Sequence, residues 1–225
     1  MRPSRNWRLS AFRSNKERRT WLGLLATILI LSLSALTQQS GVSATMPFAA
    51  DTKALVAAGK VENNVYSNPH AGFLLRLPRP PCDAKLNTQV DLNRGYAVLL
   101  DCQHVVQGWR GMYTLTIFTD SWANYPTLTS AEQYVRSLRH MGEKDPALKT
   151  VESETPQHFA GLEFSQTILS NKIPAGAYYE GLSCTHFRAY ALCFKAEAST
   201  VESVRALVNL QGTLEIQKTE PGKHP

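Results

Sequence analysis

Ala177-Tyr178-Tyr179-Glu180-Gly181-Leu182-Ser183-Cys184-Thr185 and Arg188-Ala189-Tyr190-Ala191-Leu192-Cys193-Phe194-Lys195-Ala196 are two strand-like runs separated by His186 and Phe187. Runs of this length, rich in aromatic and apolar residues and parted by so short a break, predict a β-hairpin with a tight turn near His186. Outward from that hairpin the chain stays strand-rich. Leu162–Leu169 alternates, with Leu162, Phe164 and Ile168 interleaved by Glu163, Ser165 and Gln166, and Lys149–Glu154 reads as a further strand. In Met112–Asp120, Tyr113, Leu115, Ile117 and Thr119 fall on one face and Thr114, Thr116 and Phe118 on the other. Tyr96–Asp101 is another strand, and Phe73–Leu77 is a short one stopped by Pro78, Pro80 and Pro81, which cannot donate to a ladder.

Two segments keep a helical period instead. Ala131, Tyr134, Val135, Leu138 and Met141 form one face of a helix, with Thr129 and Glu132 as its expected capping box. Val201, Val204, Leu207 and Val208 form the stripe of a second, opened by Ser199 and Glu202 and closed by Gly212. Thr213–Ile216 can then return as a last strand. Adjacent strand runs with few, late helices define the expected fold class: α+β, an antiparallel β-sheet with helices packed on it.

The N-terminus is an address rather than part of that fold. Residues 1–44 hold seven Lys and Arg against the single acid Glu17, then an uncharged apolar run of sixteen residues, Trp21–Leu36, and a small-residue site at Val42-Ser43-Ala44. These are the three regions of a secretory signal. Arg18-Arg19-Thr20-Trp21-Leu22 also fits twin-arginine export, and residues 21–36 alternatively read as an uncleaved anchor, the only membrane contact expected. Each reading puts the rest outside the cytoplasm, in the periplasm, beyond the cell, or anchored at the membrane. Residues 45–64 read as a leader or tether with one loose turn around Lys53–Ala58, residues 65–216 as the domain, and residues 217–225 as a disordered tail.

Without residues 1–44 the chain carries seventeen basic and seventeen acidic side chains, so the overall basic balance belongs to the address. A neutral domain has no footprint for a phosphate backbone, and nucleic acid is not expected as a partner. Cys82, Cys102, Cys184 and Cys193 allow three pairings. Cys82–Cys102 and Cys184–Cys193 are favoured, the second across the hairpin and the first pinning the proline loop to the next strand. The spacings do not match zinc knuckles, and no C-x-x-C occurs.

Candidate chemistry is sparse. Asp101-Cys102-Gln103-His104 is the densest polar cluster and could serve an exported hydrolase or metal-dependent enzyme. It lacks a G-x-S-x-G elbow, and H-E-x-x-H is absent from the chain. No catalytic residue, metal or cofactor is therefore assigned. Trp122 and Tyr125, in the loop after Asp120, together with Trp109, are the candidate binding residues, since stiff aromatics anchor protein interfaces and stack on sugars. Their alternative role is a lid over the sheet edge.

Val65-Tyr66-Ser67-Asn68-Pro69 followed by Gly72-Phe73-Leu74-Leu75-Arg76-Leu77-Pro78 resembles the entry of PsbP-like domains. Ala131-Glu132-Gln133-Tyr134, Ala160-Gly161-Leu162-Glu163-Phe164 and Arg188-Ala189-Tyr190-Ala191-Leu192 resemble that family's first long helix and two of its later strands. The resemblance spans Val65 to Ile216. It implies an α/β/α sandwich around an antiparallel sheet, and proteins that mostly bind other proteins without shared catalytic residues. This sequence departs from the family in having Arg79-Pro80-Pro81-Cys82 where a tryptophan commonly follows the first strand. The expected function is an exported, non-catalytic binding or accessory domain acting on a protein partner, with a glycan as the other candidate ligand.

Overall fold

Alternation of side chains along the strands builds two antiparallel sheets rather than the single one expected. The computed structural model describes residues 47–105, 111–173, 176–209 and 213–217, all within the unit Thr45–Pro225. The expected signal, Trp109 and the tail beyond Gln217 lie outside the described residues. The larger sheet contains β4 (Asp83–Asp91), β5 (Tyr96–His104), β6 (Tyr113–Ser121), β7 (Leu148–Phe159), β8 (Leu162–Ile173), β9 (Gly176–Phe187) and β10 (Tyr190–Ala198). Their order across the sheet is β4-β5-β6-β10-β9-β8-β7. The smaller sheet is β1 (Lys60–Glu62), β2 (Val65–Asn68), β3 (Phe73–Arg76) and β11 (Leu214–Ile216), ordered β1-β2-β3-β11.

The two sheets share one core. Tyr66, Phe73 and Leu75 of the small sheet are fully buried with Leu100, Leu115, Leu192 and Phe194 of the large one, and the Phe73 and Phe194 rings meet edge to face at 6.3 Å. Burying side chains of this size contributes roughly 1.5–3 kcal/mol each. Among the described residues three α-helices complete the layers: α1 (Pro47–Ala58), α2 (Ala131–Gly142) and α3 (Val201–Val208). Leu55 of α1 and Val204 and Val208 of α3 join this core. α2 lies on the opposite face of the large sheet, where Tyr134 and Val135 bury against Cys184, Ala191 and Cys193. Among the described residues, no helix is long and apolar enough to cross a membrane.

Several expectations change. The leader is not a tether: residues 47–62 form α1 and β1, with Thr52 and Leu55 buried and the Thr52 hydroxyl 3.2 Å from the Tyr190 hydroxyl. Asp51 holds His70 at 2.6 Å as well. Burial alone would raise the Asp51 pKa, but hydrogen bonds from His70 and Tyr190 outweigh it and lower it. The hairpin turn falls at Arg188-Ala189, two residues beyond His186, with Phe187 paired to Tyr190. Both helix caps move by one residue: Ser130 accepts from the Gln133 amide and Thr200 from the Ser203 amide, because these side chains occupy the extended backbone position where a cap can reach back. Gln217 is not loose, since its amide donates to Gly72 at 2.7 Å.

The disulfides form as favoured. Cys82–Cys102 joins the proline loop to β5, and Cys184–Cys193 joins directly opposed residues of β9 and β10.

Candidate functional site

Strand register assembles the site. In antiparallel sheets directly paired residues share a face, so pairing across four strands lines up side chains that are remote in sequence. One row runs Lys85, Asp101, Thr116, Lys195 across β4, β5, β6 and β10. The next runs Asp83, Gln103, Thr114, Glu197, and continues onto β9 at Glu180. Both lie on the face that carries Cys193, the face α2 covers over β7, β8 and β9. Beside α2, these two rows form a polar strip.

The strip has relief. Thr114 and Thr116 are short, and they separate Asp101 and Gln103 on β5 from Lys195 and Glu197 on β10. With neighbouring strands roughly 4.8 Å apart, the two ridges stand roughly 10 Å apart over a threonine floor. Lys195 is held low between two acids, its Nζ 3.0 Å from Glu180 and 2.9 Å from Glu197, with its side chain 14% exposed. Burial alone would pull its pKa down, and the two carboxylates outweigh that and raise it. Asp101 is different. It accepts from the Gln103 amide at 3.2 Å, and no lysine or arginine stands within ion-pair distance of it among the described residues. Burial raises its pKa, partly countered by the Gln103 hydrogen bond and the Lys85 charge.

The strip therefore holds four carboxylates, Asp83, Asp101, Glu180 and Glu197, against two ammonium groups, Lys85 and Lys195. Lys85 pairs with Asp83 at 3.6 Å.

The residues singled out from sequence are distributed otherwise. Asp101 and His104 are three apart on one strand and so project from opposite faces of β5. His104 hydrogen-bonds the Pro81 carbonyl at 2.9 Å through Nδ1 and stacks on Tyr113, which itself donates to Pro80. The two do not converge on a common substrate position. His104 braces the proline loop instead.

Trp122 and Tyr125 are half-buried and converge on α2. The Trp122 ring meets Tyr134 at 5.5 Å and His186 at 4.7 Å, and Tyr125 meets Tyr134 at 5.1 Å. Beneath them Asp120, 2% exposed, accepts from Tyr125 at 2.5 Å, Asn124 at 2.9 Å and Tyr134 at 3.2 Å. Burial raises the Asp120 pKa, partly countered by these donors. The aromatic loop thus folds over the sheet beside α2.

Lys195, Glu180, Glu197, Thr114 and Thr116 were not foreseen as a site. Their signal was the polar character of one face of Met112–Asp120, which acquires meaning only with the register of β10.

No family model matches the sequence, and no curated protein matches it. Among solved structures the chain is similar to the cyanobacterial PsbP, CyanoP, of Synechocystis sp. PCC 6803, at 10% identity and a TM-score of 0.49 over 71% of this chain and 99% of that one. It is also similar to LpqN, a protein involved in cell envelope biogenesis of Mycobacterium tuberculosis, at 9% identity and a TM-score of 0.40 over 65% and 83% of the two chains. Both scores lie below 0.5, and no role is carried from either protein to this one.

Proposed function

We propose that this chain is an exported, non-catalytic accessory module that works by contact with a protein partner. Two observations support export: the signal-like residues 1–44 and a body closed by two disulfides, which persist in oxidising compartments. The observation that carries the contact function is the polar strip on β4, β5, β6, β9 and β10. It is a fixed pattern of charge on rigid strands, the kind of surface that sets partner choice and register at protein interfaces.

A photo-crosslinking residue at Lys85, on the exposed rim of the strip, tests this in the native envelope. A second at Lys144, exposed just beyond α2, serves as the control. The expected outcome is an adduct of one defined mass from position 85 and none from position 144. Equal yields from the two positions, or none from position 85, would refute the proposal.

A further inference from the structure

We infer that the Cys82–Cys102 bridge is a redox latch on the first half of β4, opened by a dithiol reductant and closed again by oxidation. The two bridges of the chain differ in access. Cys184 and Cys193 are completely buried beneath α2, whereas Cys82 is partly exposed where the proline loop meets β4, with Cys102 fully buried. β4 is an edge strand of the large sheet, and none of its residues is buried. Its register breaks between Leu86 and Gln89, which divides it in two. At the break the strand is tied to α1, because the Asn87 amide donates to the Val56 carbonyl at 3.0 Å. The first half, residues 83–86, is held by its ladder with β5 and by the adjoining bridge. Asp83, Lys85 and Leu86 are exposed there and Ala84 is half-buried, so packing adds little to hold it.

One accessible sulfur is enough for exchange. A thiolate of the reductant attacks Cys82 Sγ, the S–S bond breaks, and Cys102 leaves as a thiolate that takes up a proton. The second thiol of the reductant then displaces Cys82 from the mixed disulfide. Two electrons and two protons pass to the chain as two thiols, and the reductant becomes a disulfide. Residues 83–86 are then held by their ladder alone, and a short, exposed edge ladder opens readily. Opening uncovers the outer side of the β5 backbone from Leu100 to Gln103. The proline loop stays in place. His104 Nδ1 lies 2.9 Å from the Pro81 carbonyl, and the Tyr113 hydroxyl donates to the Pro80 carbonyl at 2.5 Å. These contacts keep Cys82 close to Cys102, so the bridge can form again.

The probe is dithiothreitol, added at rising concentration to the disulfide-bonded protein. Freed thiols are trapped by alkylation and located by mass, and amide hydrogen exchange is followed alongside. Cys82 and Cys102 are expected to be alkylated about tenfold faster than Cys184 and Cys193. With that bridge alone cut, the amides of residues 83–86 should exchange about tenfold faster, while those of β10 keep their protection. Reoxidation should restore the original exchange. Replacing Cys82 and Cys102 together by Ala should give the same local exchange without reductant. The inference is overturned if the hairpin bridge opens first or both open together. It is equally overturned if residues 83–86 stay protected once Cys82–Cys102 is cut, or if protection is lost throughout the sheet.

Discussion

Cys184 and Cys193 face each other directly across the β9–β10 hairpin, their Cα atoms 4.2 Å apart, and both are completely buried beneath α2. Cys82 and Cys102 close a longer loop, with a sequence separation of 20 against 9. Loop-closure entropy then ranks the two bridges. Replacing Cys184 and Cys193 together by Ala should cost about 2.6 kcal/mol, and replacing Cys82 and Cys102 about 3.3 kcal/mol. Urea unfolding of the two double variants checks the order, and a larger loss from the hairpin bridge would contradict it.

Tyr134→Phe tests the buried carboxylate under the aromatic loop. The change removes one donor from Asp120 without altering the ring contacts to Trp122 and Tyr125. A hydrogen bond to a charged group is worth about 1.5–3 kcal/mol. Because burial raises the Asp120 pKa above its ordinary 3.8, the folded state binds the proton more tightly than the unfolded chain. The ionised group therefore costs stability as pH rises, and the Tyr134→Phe penalty should grow from pH 3.5 to pH 7. A penalty independent of pH in chemical denaturation would show that Asp120 is not the affected group.

Glu143 carries the opposite sign. Hydrogen bonds from the Thr150 hydroxyl and Arg139 hold its pKa at about 2, below the ordinary 4.5. Its contribution is complete above pH 4.5 and is lost as pH falls toward 2. Glu143→Gln should accordingly flatten the acid limb of the stability curve between those values, lowering stability at pH 7 and converging with the unaltered protein near pH 2. Thermal unfolding across that range reads the difference.

Two glycines separate crowding from backbone strain. A Cβ on Gly181 would lie 2.4 Å from Val204 Cγ1 and 3.1 Å from Val208 Cγ1, so Gly181→Ala pushes α3 off the sheet. Overpacking of this kind costs about 1–3 kcal/mol. At Gly161 there is open space but φ is +75°, and Gly161→Ala should cost about 1 kcal/mol from backbone strain alone. Combining each with Val204→Ala tells them apart: the truncation should relieve Gly181→Ala and leave Gly161→Ala unchanged.

Lys195→Met leaves Glu180 and Glu197 facing each other across the hairpin without their shared cation. The carboxylates are 22% and 34% exposed, so solvent screens part of their repulsion, and the loss should be about 2 kcal/mol at neutral pH. Denaturant titrations of the variant and the unaltered protein at pH 7 would show it, and an unchanged midpoint would contradict it.

Elements with strong periodicity were legible in the sequence. The stripe of Tyr134 and Val135 predicted α2, the alternation of Leu162–Leu169 predicted β8, and the paired runs around residues 186–189 predicted the hairpin that aligns Cys184 with Cys193. α1 was missed because its alanines give no stripe, although Thr52 and Leu55 bury completely enough to fix it. β4 was missed because an edge strand buries little: Asp83, Lys85 and Gln89 face solvent, so apolar alternation is lost. The second sheet was missed because β1, β2 and β11 are three or four residues long. At the site, Asp101 was singled out for its nearness in sequence to His104, which strand geometry undoes. Its actual neighbours, Lys195 and Glu197, come from a hairpin some ninety residues away.

The outer strands of the large sheet are both interrupted midway. On β4 the register shifts between Leu86 and Gln89, where Asn87 adopts φ 53° and ties its amide to the Val56 carbonyl. On β7 the register shifts twice between Thr150 and Thr155, and Pro156 offers no N–H. A stray chain seeking to extend either border would find only a few aligned residues before the ladder breaks. The molecule can thus expose long β-structure at high local concentration and still resist growing into fibrils.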